Sequence, residues 1–167
     1  MMSLSKQRGV GLVEVLVALV ILAIGVLGFV ALQMKALEAT NEGSYRIQAL
    51  NVARDLAEKI RVNRGVLDVY KAQIQDPDSQ TTSVRNCFNN TCTAAQLADF
   101  DVEHAVKYAQ NLGMTVNILD CQGNNDNRAC VYVAWNDTSA TNGSNPEDCT
   151  SGTSYNASST CVIMEVY

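Results

Sequence analysis

Lys6-Gln7-Arg8-Gly9, then Val10-Gly11-Leu12-Val13-Glu14, opens a chain that runs on without a polar break to Leu32. Sixteen of the 23 residues from Val10 to Leu32 are Leu, Ile, Val or Phe. On insertion scales these side chains favour the membrane by roughly 5–10 kcal/mol, against a cost of about 3 kcal/mol for Glu14. The span therefore inserts, and its length covers a hydrocarbon core of about 30 Å. A removable secretory signal has a shorter apolar core of about 7–15 residues and a small-residue cleavage site after it. Lys6 and Arg8 favour a cytoplasmic amino terminus, which places the chain after Leu32 on the other side. Nothing in anchoring requires Glu14. An acid kept in such a helix points to a task beyond holding the membrane.

The stretch from Lys6 to Glu14, continued by the apolar helix, resembles the class III signal of type IV pilins and of type II secretion pseudopilins. The resemblance implies that a membrane aspartyl peptidase, the prepilin peptidase, cuts on the cytoplasmic side between Gly9 and Val10 and that the new amine is methylated. It also implies that Glu14 is the assembly acid. Val10 and Gly11 stand where that family most often has Phe and Thr, and no proline interrupts the span, leaving Gly25 and Gly28 as its weak points. The physics agrees with the expectation. Cutting at Gly9 removes the two charges that pin the helix to the inner face and leaves one amine on Val10. Residues i and i+4 share a helix face, so the Val10 ammonium and the Glu14 carboxylate can meet, and an acid in the first turn suits the helix dipole. Between staggered helices such a pair sets register, because an unpaired charge in an apolar bundle costs several kcal/mol.

The 167 residues allow one anchor and one modest head. From Ser44 to Val62 the apolar Ile47, Leu50, Ala53, Leu56, Ala57 and Ile60 recur at helical spacing, with Arg46, Arg54, Asp55, Glu58, Lys59 and Arg61 on the other side. Gly65 reads as the stop. A helix from Val10 to Val62 would be about 80 Å long. The expected organisation is a leader at 1–9, a transmembrane half at 10–33, an amphipathic half at 34–64 and a periplasmic head at 65–167. The segment from Ala53 to Arg64, and Leu97-Ala98-Asp99-Phe100-Asp101 further on, resemble the PilV branch of minor pilins.

Gly65 to Thr93 reads as a loop with weak helical character around Val66–Gln75 and a turn at Asp76-Pro77-Asp78-Ser79. Thr93 suits the N-cap of a helix to about Leu112, before Gly113, with Leu97, Phe100, Ala105, Tyr108, Ala109 and Leu112 as its buried stripe; Asp101 is an alternative start. Met114–Cys121, Cys130–Trp135 and Cys161–Tyr167 read as strands. The expected fold class is α+β, a long amino-terminal helix packed on a small antiparallel sheet. Asn136 to Thr160, almost wholly Asn, Ser, Thr, Gly and Asp, is expected to be an exposed loop adding little to the core.

All six cysteines, Cys87, Cys92, Cys121, Cys130, Cys149 and Cys161, lie in the head. An even number on the extracytoplasmic side points to disulfides in an oxidising compartment. Fifteen pairings are possible; bridges between sequence neighbours are the expectation, Cys121 and Cys130 bracketing a hairpin and Cys149 and Cys161 closing a loop. Zinc competes, but no Cys-x-x-Cys pair is present and His104 is the lone histidine.

Catalysis has little to stand on. A Ser-His-Asp or Cys-His arrangement would have to recruit His104, and no phosphate-binding glycine loop follows a strand. The Asn124–Asn127 cluster reads as a polar turn, with calcium as the alternative. From Gly65 on, four basic residues face twelve acids, a formal charge of −8, which opposes direct nucleic-acid binding. The chain reads as a non-enzymatic, cofactor-free minor pilin. It is expected in the inner membrane with a periplasmic head and then at the cell surface in a pilus, with other major and minor pilins as partners. A type II secretion pseudopilin and a membrane-tethered adhesive module are the alternatives.

Overall fold

The structure is a computed structural model and describes residues 11–123, 126 and 128–166. Helix α1 runs from Leu12 to Val62, α2 from Leu67 to Gln75 and α3 from Ala94 to Asn111; strands β1 (Met114–Asp120), β2 (Ala129–Trp135), β3 (Ser139–Asn142), β4 (Asp148–Ser151), β5 (Ser154–Tyr155) and β6 (Cys161–Glu165) follow. The expected helix start at Val10 lies outside the described residues, as does the last residue expected in the final strand. The chain divides inside α1 into two compact units, one ending at Gly43 and the other beginning at Ser44.

In the first unit α1 is exposed on every side, from Gly11 onward. An 18-residue window there reaches a mean hydropathy of 3.1, so the helix is long and apolar enough to cross a membrane.

In the second unit, α1 buries Ala49, Val52, Ala53, Leu56, Ala57 and Ile60, an i, i+3, i+4 series that shares one face. This corrects the expected stripe at its start: Ile47 is 63% exposed and Leu50 half-buried. At about 100° per residue, Ile47 sits roughly 120° round the helix from Ala53. Gly65 does not cap α1. It lies in a short 3-10 turn, Arg64–Val66, from which the chain enters α2.

Thr93 caps α3 by a reciprocal pair: its Oγ1 accepts from the Gln96 N–H (3.3 Å) and its own N–H donates to Gln96 Oε1 (3.1 Å). The helix continues through Asp101, so no fresh helix begins there. Its core face is Ala98, Val102, Ala105, Val106 and Ala109. Leu97 and Tyr108, expected inside, are 36% and 56% exposed. The small residues occupy the face toward the sheet and allow close approach, which leaves the two large ones on the flanks. Gly113 takes a positive φ of 71° just past the helix, the backbone state a C-terminal stop requires.

Strands β1, β2 and β6 form an antiparallel sheet in the order β1-β2-β6. Every residue of β2 is buried. Its odd positions, Val131, Val133 and Trp135, join the core shared with α1, α2 and α3, while Cys130, Tyr132 and Ala134 face a second core with Ala140, Cys149 and Cys161. That second core corrects the expected loop at Asn136–Thr160, which instead folds into a small sheet, β3-β4-β5, with β3 and β4 parallel. Thr138, Asp148 and Thr150 are buried there and satisfied. Asp148 accepts from Thr141 Oγ1 (2.5 Å) and the Asn145 N–H (2.8 Å), and Thr150 Oγ1 donates to Asn142 Oδ1 (2.8 Å).

Candidate assembly site

Glu14 sits in the first turn of α1, where the Glu14 N–H donates to the Gly11 carbonyl at 2.9 Å. It is the sole ionisable residue from Gly11 to Met34. Spaced along the helix behind it are Val15, Ala18, Leu19 and Leu22, which line a shallow apolar surface with the carboxylate at one end. Leu12, Val13, Leu16 and Val17 are exposed around it. Apolar surface on this scale demands a cover of lipid or protein. A charge at one end of it then fixes where a covering helix must place an opposite charge. Lys6, Arg8, Gly9 and Val10, the expected leader charges and processing pair, lie outside the described residues.

The cysteines form three bridges, Cys87–Cys92, Cys121–Cys130 and Cys149–Cys161, and none is free. The second spans the β1–β2 turn; the third ties β4 to β6. The first closes a short loop that holds Phe88 edge-on to Phe100 at 4.9 Å and to His104 at 5.2 Å. His104 is thus an exposed ring in an aromatic stack on α3. Of the expected polar turn, Asn124, Asn125 and Asn127 lie outside the described residues, and Asp126 pairs with Arg128 at 3.4 Å. Among the described residues no group of three His, Cys, Asp or Glu side chains is placed to hold a metal.

One junction escaped the sequence reading. The buried Tyr70 hydroxyl donates to Asp101 Oδ2 at 2.7 Å, Asn63 Nδ2 donates to the Ala94 carbonyl at 2.8 Å and to the Tyr70 oxygen at 3.3 Å, and Lys59 Nζ stands 3.8 Å from Asp101. The end of α1, α2 and the first turns of α3 are locked by these groups. Burial pushes the Asp101 carboxyl above the usual carboxylate range, outweighing the Tyr70 hydrogen bond and Lys59; burial likewise raises the Tyr70 hydroxyl. An acid set between Phe100 and Val102 was the available signal. Asp101 stood only as an alternative helix start, whereas its burial within α3 requires a donor.

Two families match the sequence. Residues 4–30 match the prokaryotic N-terminal methylation motif. Residues 31–103 match the Tt1218-like family, described as type IV pilin Tt1218. No curated protein and no solved structure matches the chain. The two matched stretches meet inside α1 and the second runs to the middle of α3, so a match to the methylation motif is followed directly by one to the Tt1218-like family. The apolar helix and the motif together fit membrane anchoring and pilus assembly.

Proposed function

We propose that this chain is a minor type IV pilin of the PilV kind, cut between Gly9 and Val10 by prepilin peptidase, methylated on Val10, and carried from the inner membrane into a pilus. The observation that carries the reading is Glu14: one carboxylate in the first turn of an exposed apolar helix, inside a methylation motif. The Val10 amine and Glu14 set register between subunits, and the apolar faces around them supply contact area. The leader is residues 1–9, the membrane half 10–33, the amphipathic half 34–64 and the head 65–167. The head works as an associating module in a periplasmic and then extracellular setting, where its three bridges persist. It primes or joins the fibre with other pilins, and so serves the motility, adhesion or DNA uptake of the whole assembly.

Intact-mass measurement on protein from sheared fibres tests the reading. The expected species begins at Val10, carries one added methyl group and three disulfides, and travels with pilus subunits. An intact Met1 terminus, or recovery with secretion pseudopilins instead, overturns it.

A further inference from the structure

Four Asn-x-Ser/Thr triplets occur in the chain, all of them in the head: Asn89-Asn90-Thr91, Asn136-Asp137-Thr138, Asn142-Gly143-Ser144 and Asn156-Ala157-Ser158. Outside the cytoplasm such a triplet is an acceptor for sugar on the asparagine amide nitrogen, provided that a transferase can reach both the amide and the hydroxyl two residues on. The fold withholds three of them. Thr138 is only 8% exposed, and its Oγ1 accepts from the Thr160 N–H at 2.9 Å. Asn142 ends β3 with its Oδ1 held by Thr150 Oγ1 at 2.8 Å. Asn156 commits Nδ2, the nitrogen a sugar would occupy, to the Asp148 carbonyl at 2.6 Å and the Asn145 carbonyl at 3.3 Å.

The remaining triplet is presented. Asn89, Asn90 and Thr91 are all exposed on the loop that the Cys87–Cys92 bridge closes, just before the Thr93 cap of α3. The polar contacts inside this loop belong to the neighbours: Asn86 Oδ1 accepts from the Phe88 N–H at 2.9 Å, and Asn90 Nδ2 donates to the Asn86 carbonyl at 2.9 Å. Among the described residues the side chains of Asn89 and Thr91 make no hydrogen bond, so the amide and the hydroxyl are both free for a transferase. Phe88, next in sequence and 74% exposed, offers a ring that a first sugar would shield from water.

We propose that Asn89 is an N-glycosylation site of the folded head. The donor class is an oligosaccharide on a lipid pyrophosphate, delivered by an oligosaccharyltransferase. Asn89 Nδ2 bonds to the anomeric carbon of the first sugar, the bond from that carbon to the pyrophosphate oxygen breaks with its electron pair leaving on the pyrophosphate, and one amide proton is lost to solvent. The inference rests on the head being carried out of the cytoplasm, as the function proposed above requires, and its sugar adds to the mass of the trimmed, methylated chain.

The test takes the full-length protein from membranes of the cell that makes it, reduces it and cuts it with trypsin after Lys and Arg. Asn86–Lys107 then holds Asn89 alone of the four acceptors, and Ala129–Tyr167 holds the other three. Mass spectrometry is expected to find a ladder of hexose and N-acetylhexosamine increments on the first peptide and the bare mass for the second. Asn89→Gln and Thr91→Ala each abolish the ladder, whereas Thr91→Ser and Asn90→Gln keep it. A bare Asn86–Lys107, sugar on Ala129–Tyr167 in its place, or sugar that survives Asn89→Gln, as an O-linked chain on a threonine would, overturns the proposal. The amino-terminal peptide of the same digest keeps the two claims apart. An uncut leader with sugar on Asn89 defeats the fibre reading alone, and a cut leader with a bare Asn86–Lys107 defeats this site alone.

Discussion

Arg61 Nε donates to the carbonyl oxygen of Val166 at 2.5 Å, across 105 positions of sequence. A second donor of the same guanidinium, Nη2, reaches the Glu165 carbonyl at 3.0 Å, and Nη1 holds Glu58 at 2.5 Å. The Glu165 carbonyl at the end of β6 and the Val166 carbonyl just past it are thereby tied to the end of α1. Val166 itself is fully buried in the main core.

Arg61→Met keeps the stem of the side chain and removes its donors. It is expected to cost about 1–3 kcal/mol, the range for leaving charge-assisted acceptors unpaired, and to speed amide exchange selectively along β6. Thermal unfolding with hydrogen exchange checks it; a loss spread evenly over the head would contradict the clamp.

Asp101 gives the head a pH dependence of defined sign. Its folded carboxyl titrates above the ordinary range because burial disfavours the charge. The native state therefore holds a proton that the unfolded state releases, and stability falls as pH rises from the ordinary Asp value through the raised one. Asp101→Asn keeps an acceptor for Tyr70 and cannot ionise, so that decline is expected to vanish from its stability-against-pH curve. Asp101→Ala, which orphans the buried Tyr70 hydroxyl, is expected to lose about 1–3 kcal/mol at every pH.

The three bridges are expected to rank by what they enclose. Cys149 and Cys161 lie in the second core and close a loop of sequence separation 12, whereas Cys87–Cys92 closes a separation of 5 near the surface. Replacing the 149–161 pair by alanines should cost about 2–4 kcal/mol, and the 87–92 pair less. The first change should also loosen β3 to β5, which packs on that bridge; the second should free Phe88 from His104 and leave the sheets intact. Melting curves and exchange maps of the two variants decide.

Elements with strong local signals were legible in the sequence. The i, i+3, i+4 pattern through Leu56 and Ile60, the Thr93–Gln96 cap and the Val-rich strands each mark their place before any tertiary contact is known. Ile47 and Tyr108 misled for a common reason: residue type says how much burial would gain, while helix phase says which face is available. The second sheet was hidden because its stability comes from satisfied polar groups, Asp148 and Thr150 among them, and from a bridge. Its trace lay elsewhere, in β2. Ala129-Cys130-Val131-Tyr132-Val133-Ala134-Trp135 does not alternate, and an antiparallel strand without alternation needs cover on both faces. The residues around Glu14 were readable from composition, because they are exposed and no tertiary packing within their unit decides which face they take.

Glu14 carries the sharpest expectation, since insertion and assembly make opposite demands on it. In lipid the carboxylate is a cost of about 3 kcal/mol at mid-membrane depth and less near an interface. Glu14→Leu should therefore insert at least as well as the native chain. Under the proposed function the same group meets the amine of Val10 on a neighbouring helix in a fibre, and removing it would leave that ammonium uncompensated among apolar faces, a penalty of several kcal/mol per contact. Incorporation into sheared fibres should fall about a hundredfold or more for a loss near 3 kcal/mol, while membrane fractionation and leader cleavage stay at native levels. Glu14→Asp keeps the charge but shortens its reach, so it should recover part of the incorporation; Glu14→Gln, which keeps shape and loses charge, should not. Equal incorporation of the Gln and native forms would show that the helix docks by its apolar surface alone, with the acid as a bystander.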